Sequence, residues 1–295
     1  MSFRTIALLF LVNLIWAANV VVSKLAVGDL GIPPLFYALL RSVIVVAALA
    51  PLLRPVPQGL LRVMLVGLAI SGGSFALLFV GLKTASPSAA GIVSLSGAPL
   101  TVLFAILILK ERVRWRRAGG IVLAFVGVGI AVASPAGWAS GSGLGWVGLS
   151  AIVGALGSVF VKRIEIDSVR LQAWAAVAST IVLTPLSLAT ESGQFASIFA
   201  HPWEATACLI YAALVTSVGA HSLYYRLLQH NEANMIVPFT LLCPLMTVGL
   251  GASITGDAIG WPLVIGGIIA VAGVAVIVLR PSQVMPKQFL VRPRL

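Results

Sequence analysis

Residues 6–25 read IALLFLVNLIWAANVVVSKL, an unbroken apolar run whose single charge, Lys24, stands next to its end. At 1.5 Å per residue such a helix is about 30 Å long, the thickness of the hydrocarbon core of a bilayer. A secretory signal would have a shorter apolar region and a small-residue cleavage site. This run instead carries Asn13, Trp16 and Asn19, so it is read as a helix of the mature protein. Outward from it the chain keeps the same character: of 295 residues, 60 % are hydrophobic and 9 % charged, and the mean hydropathy is +1.09. A soluble domain carries about 25 % charged residues. So few charges cannot cover a water-facing surface, which argues against a soluble enzyme or a nucleic-acid-binding domain. Cys208 and Cys243 both fall in apolar runs and have neither a disulfide framework nor metal-ligand spacing, so they are read as small core residues.

Nine further apolar runs follow, at about 33–53, 60–82, 86–109, 117–134, 143–161, 168–189, 204–226, 231–254 and 259–279. Turn signals separate them, including Pro33-Pro34, Pro55 with Pro57, Ser134-Pro135 and Gly256-Asp257. The expected fold is therefore an all-α integral membrane bundle of ten transmembrane helices, with loops too short to hold a soluble active site. Loop charge gives an independent check, because Lys and Arg collect on the cytoplasmic side. The N-terminus and every second connection hold sixteen of the nineteen basic residues, among them Arg54, Arg62, the run from Lys110 to Arg117, Arg163, Arg170 and Arg226. The opposite loops hold Lys24 and Lys83, and Arg41 lies within a span. Both termini are thus expected in the cytoplasm. The net charge of +11 reflects topology, with no nucleic-acid partner implied. The basic tail 282–295 is expected to be disordered.

The halves of the chain echo one another at an offset of about 140 residues. Ala17-Ala18-Asn19-Val20-Val21-Val22-Ser23-Lys24 aligns with Ala155-Leu156-Gly157-Ser158-Val159-Phe160-Val161-Lys162, and Ala98-Pro99-Leu100 with Cys243-Pro244-Leu245. Gly119-Gly120-Ile121 matches Gly266-Gly267-Ile268. Five helices per copy is an odd number, so the second copy must enter the membrane from the opposite side. Two inverted five-helix repeats are expected, at 1–137 and 138–281. In secondary transporters built this way the substrate sits near the midplane between the halves.

The run from Phe79 to Ala90, then Leu95 through Pro99, Leu107-Ile108-Leu109-Lys110-Glu111 and Gly119-Gly120, resembles the EamA type of the drug/metabolite transporter superfamily. The likeness covers nearly the whole chain and returns around His230 to Pro244 and Gly266 to Gly273, although Glu111 has only the imperfect counterpart Asp257. Within that superfamily the sequence is most similar to the YddG-type exporters of aromatic and other amino acids. The resemblance implies two inverted EamA repeats, a bacterial inner membrane and efflux of small metabolites.

No HExxH, GxSxG or Walker loop is present, so neither catalysis by those chemistries nor ATP-driven pumping within this chain is expected. No cofactor or metal is implied. All eight acidic residues map to loops or helix ends, leaving His221 as the intramembrane titratable candidate and favouring a facilitator or exchanger over a proton antiporter. Arg41 lies about 12 Å into its span, too deep to reach water easily. It is either an anchor for a substrate carboxylate or a tie to backbone carbonyls of a neighbouring helix.

Asn13, Trp16 and Asn19 share one face of the first helix. With them, Ser71, Phe75 and Phe79 of the third helix, Ser94 and Ser96 of the fourth, His221, Tyr224 and Tyr225 of the eighth, and Phe239 and Thr240 of the ninth are the expected lining of a central cavity. For each hydroxyl the alternative is a bond to helix backbone. Pro99, Pro238 and Pro244 are candidate hinges, because a missing N–H frees a carbonyl one turn back. The glycines at 119–120, 127, 266–267 and 273 are read as close helix packing.

The function expected is export of amino acids, aromatic and other small neutral ones, by alternating access in a monomer of the inner membrane. Rival readings are another metabolite or drug, such as a purine, a nucleotide sugar or a cation, and a receptor that binds without transport. A cavity without acids suits cations poorly, and one arginine is a poor match for a multiply charged sugar nucleotide.

Overall fold

Backbone polar groups in hydrocarbon must be satisfied within the protein, and a helix does this locally. The computed structural model describes residues 3–110, 115–134, 141–161, 163–230 and 236–279, and among them no strand occurs. The expectations for Glu111 and for the tail 282–295 lie outside the described residues, as does the side chain of Tyr225. Among the described residues nine helices are long and apolar enough to cross a membrane: α1 (Phe3–Asp29), α2 (Pro34–Leu53), α3 (Leu60–Leu82), α4 (Pro87–Leu109), α5 (Trp115–Val132), α6 (Gly143–Val161), α7 (Ser168–Thr190), α8 (Pro202–Tyr224) and, last of them, α10 (Trp261–Val278). Between the last two stands the shorter apolar α9 (Pro238–Ile254). The bounds agree with the hydropathy reading to within a few residues at most ends. Leu61, Leu65, Leu107, Val122 and Ile268 point outward and are exposed, as suits a lipid-facing surface.

Helix packing follows small residues. α5 and α10 meet along Gly120, Gly127, Gly266 and Gly273, where a Cβ at Gly120 would stand 2.9 Å from the Gly273 carbonyl oxygen and one at Gly127 would fall on the Ala270 backbone. Gly119 faces open space and takes no part. α2 packs on α7 and α8, α3 on α6 and α7, α4 on α6 and α9, and α1 on α8 and α9. Exchanging the first five helices with the last five leaves this set of pairings unchanged. The main core lies between them, around Tyr37, Phe79, Leu82, Ala90, Val147 and Ala212.

Two helix starts are capped from distant loops. Glu191 accepts from the Leu35 and Phe36 amides at the start of α2, at 2.8 and 2.9 Å, and from the Ser187 hydroxyl. Asp257 accepts from the Ser88 amide of α4 at 2.8 Å and from the Thr255 hydroxyl at 2.7 Å. Carboxylates at helix N-termini satisfy orphan amides and complement the dipole. Pro87 occupies the first turn of α4 behind the Ser86 cap and starts the helix without interrupting it.

The interruption falls further on. α4 loses α-helical geometry at Leu95–Ser96, where amides bond three residues back, and resumes at Gly97. That is one turn before Pro99, whose ring cannot donate to the Leu95 carbonyl. α9 opens as a 3₁₀ turn, Val237–Leu241, containing Pro238, and becomes α-helical at Leu242–Ile254 with Pro244 in its first turn. α3 and α8 each contain a wider π-helical stretch, Leu68–Gly73 and Tyr211–Ala220. Such stretches leave backbone carbonyls and side chains displaced from regular register, and they cluster at functional sites.

Candidate functional site

Arg41 is 4 % exposed and is held from both sides. Its Nε and Nη2 donate to the Ser217 hydroxyl at 3.0 and 2.7 Å, and Nε also donates to the Ala212 carbonyl at 3.3 Å. The Ser217 hydroxyl in turn donates to Ala212 at 2.7 Å. Both acceptors belong to the π-helical stretch of α8, where the i to i+5 spacing brings a carbonyl and a hydroxyl to one point. The guanidinium stacks on Phe75 with its carbon 3.9 Å from the ring centroid. An aromatic face and neutral oxygens thus solvate the cation. Gln172 of α7 donates its amide to the Ser217 carbonyl, which fixes the orientation of its side chain and leaves Oε1 buried without a hydrogen-bond partner.

A cavity of about 330 Å³ opens on this cluster and is lined by Arg41, Ser71, Phe75, Ser158, Gln172 and His221, with apolar neighbours. It shares Ile70 and Ser158 with a second cavity of about 240 Å³ lined by Ser74, Ser94, Thr101 and Ser150. Ser94 also lines a third, of about 260 Å³, with Trp16, Thr240, Cys243 and Pro244. Neighbouring cavities thus share wall residues, and residues of both halves of the chain line them. Among the described residues no carboxylate lines them. A further concavity, of about 990 Å³, shares none of these residues and lies at the outer surface between α3 and α6.

The sequence candidates divide accordingly. Arg41, Ser71, Phe75 and His221 come together in the first cavity, and Trp16, Ser94 and Thr240 reach the others. Trp16 meets His221 at a tilt and Tyr224 edge-on, with ring centroids 5.2 and 5.1 Å away, and so links the two groups. His221 Nδ1 lies 2.8 Å from the Thr216 carbonyl. Phe79 is wholly buried behind Phe75, against Tyr37. Asn13 donates to the Leu9 carbonyl one turn back, and Asn19 and Ser96 are buried; these three and Phe239 line none of the three cavities. Ser94 and Thr101 also bond to backbone one turn back. Gln172 and Ser158 are lining residues that the sequence does not single out. Ser217 belongs to the eighth-helix polar run with Thr216 and His221, which the sequence does offer as cavity wall, but Gln172 is one of several polar residues scattered along α7 and only the fold brings it to Arg41.

Long apolar helices packed around a cavity lined by Arg41, Gln172 and His221 define a multi-pass membrane protein. The model of the EamA-like transporter family matches residues 3–133 and 141–279, and the chain belongs to that family. A protein of Salmonella typhimurium named "Probable amino-acid metabolite efflux pump" is 29 % identical over 90 % of this chain and 92 % of its own. The protein of the same name from Escherichia coli is 27 % identical over 92 % of this chain and 94 % of its own. An uncharacterized transporter of Archaeoglobus fulgidus is 28 % identical over 93 % and 97 %. One crystal structure superimposes with a TM-score of 0.56 at 19 % identity, over 94 % of this chain and 96 % of that one, a likeness of fold. The chain is a membrane transporter of the EamA family, and these relationships point away from an enzyme.

Proposed function

We propose that this transporter exports amino acids, aromatic and small neutral ones among them, from a bacterial cytoplasm across the inner membrane. The observation that carries the reading is Arg41: a fixed, buried cation in the wall of a cavity between the helices, with aromatic surface beside it and no carboxylate among the described lining residues. The names of the two bacterial relatives support the same substrate class. In this reading the substrate carboxylate binds the Nη1 edge of Arg41, the part of the guanidinium not used by Ser217 and Ala212, and apolar side chains rest against Phe75. Gln172, on the wall of the same cavity and with an orphan side-chain oxygen, is the proposed acceptor for the ammonium. The cluster thus both ties α2 to α8 and offers a carboxylate site.

The mechanism proposed is alternating access between two inverted five-helix repeats, 1–137 and 138–281, in a monomer with both termini in the cytoplasm. The symmetric set of helix pairings supports the repeats. The breaks before Pro99 and at Pro238–Pro244 supply candidate hinges in the paired helices α4 and α9. Without a carboxylate in the cavity, a facilitator or exchanger is favoured over a proton antiporter. The test is counterflow of radiolabelled amino acids into liposomes holding the purified protein, with and without a proton ionophore. Uptake insensitive to the ionophore is expected. Folded protein silent across the whole panel would overturn the substrate class, and collapse of uptake with the ionophore would overturn the mechanism.

A further inference from the structure

The concavity of about 990 Å³ between the start of α3 and the end of α6 is not used by the transport reading. Its wall is apolar, with Leu65, Val66, Leu156 and Phe160, apart from two side chains, Arg62 and Arg163. Both arginines are exposed. α3 and α6 touch at Gly157, where an added Cβ would stand 2.6 Å from Ile70, and this contact closes the groove toward the middle of the bundle. The first turn of α3, from Gly59, also lines it and has no side-chain cap. The groove is therefore apolar along its length and positive at one end.

We propose that this groove binds one anionic phospholipid, its phosphate on Arg62 and Arg163 and an acyl chain along α3 and α6. Guanidinium groups match phosphate oxygens in pairs, and basic sites between transmembrane helices take acidic headgroups. Arg170 at the start of α7 donates to the Leu52 and Pro55 carbonyls, so the arginine-bearing end is the end where the 2–3 and 6–7 connections meet. The positive-inside bias assigns that end to the cytoplasmic leaflet. A second copy of the chain fits less well, because a two-fold contact here would set Arg62 and Arg163 against themselves. Inorganic phosphate would leave the apolar length of the groove unfilled.

The test is the lipid that co-purifies. Wild type, Arg62→Gln/Arg163→Gln and Arg226→Gln, a basic residue outside the groove, are purified from the same membranes in mild detergent. Bound phosphatidylglycerol and phosphatidylethanolamine are then counted by mass spectrometry. Wild type and Arg226→Gln are expected to retain phosphatidylglycerol preferentially, and the double variant to lose roughly tenfold of it with phosphatidylethanolamine unchanged. Equal retention in all three proteins, or equal loss of both lipids, would overturn the proposal. If the double variant does not fold, Leu156→Trp decides: it fills the apolar groove with both arginines in place. Loss of phosphatidylglycerol then supports a lipid in the groove, and full retention overturns it.

Discussion

A guanidinium buried between helices has to be solvated by something other than water, and at Arg41 the solvation is neutral. Ser217, Ala212 and the face of Phe75 do it, so the cation keeps its charge for an incoming anion. Lysine cannot reproduce the planar fork or the stacking. Arg41→Lys is expected to lower counterflow about tenfold or more, and Arg41→Ala and Trp16→Ala to impair flux while the yield of folded protein holds; normal transport by both alanine variants would remove these residues from the path. Ser217→Ala separates the structural share of the cluster from the binding share. It leaves the guanidinium with one weak acceptor and should lower stability by about 2 kcal/mol, read as a fall in the thermal midpoint in detergent. An unchanged midpoint would show that the tie between α2 and α8 contributes little.

At the scale of elements, close contact replaces the hydrophobic effect, because lipid is as apolar as the helix surfaces it would leave. The α5–α10 seam is the clearest case. Gly120→Leu would drive a side chain into the Gly273 carbonyl and is expected to reduce folded yield severalfold, whereas Gly119→Leu, one residue away and facing open space, is expected to be tolerated. Equal yields would count against the seam. The caps supplied by Glu191 and Asp257 are charge-assisted bonds between distant segments. Asp257→Asn keeps the shape and loses the charge at the start of α4, for an expected cost of about 1 kcal/mol in detergent melting. These acids also explain why carboxylates are scarce inside the bundle: at least these two are engaged at helix starts.

For the whole molecule, the alternation of strongly basic connections with ones that hold few basic residues predicts that position 62 and position 83 lie on opposite faces of the membrane. Cysteines placed there in a variant lacking Cys208 and Cys243 should react with an impermeant maleimide from opposite sides of intact cells and inverted vesicles. Labelling of both from one side would overturn the topology. Much of the architecture was legible in advance, because spans are set by length and hydropathy, local properties of the chain. The ends of α2, α3, α6 and α7 agree with the apolar runs, and the break before Pro99 follows from one missing N–H. The site was legible only in part. Arg41, Phe75, His221 and Trp16 announced themselves as polar or aromatic residues in mid-span, but Phe79 is core and Asn13 bonds to its own helix. A polar residue in an apolar run shows that it avoids lipid, and not whether it faces a cavity or a neighbouring backbone.

The sequence by itself determined that this chain lives in a membrane, where its apolar runs begin and end to within a few residues, and which family it resembles. These are sums over segments, and each span is stable as a helix whatever its neighbours. Only the tertiary structure decided which polar residues share a cavity, that α8 widens into a π-helical stretch to present Ala212 and Ser217 to Arg41, that Gln172 joins them from α7, and that Arg62 and Arg163 meet across an apolar groove. Those facts depend on how helices rotate and approach, which is set by small residues and shape along each seam. That information is spread over several helices at once, and no single stretch of sequence holds it.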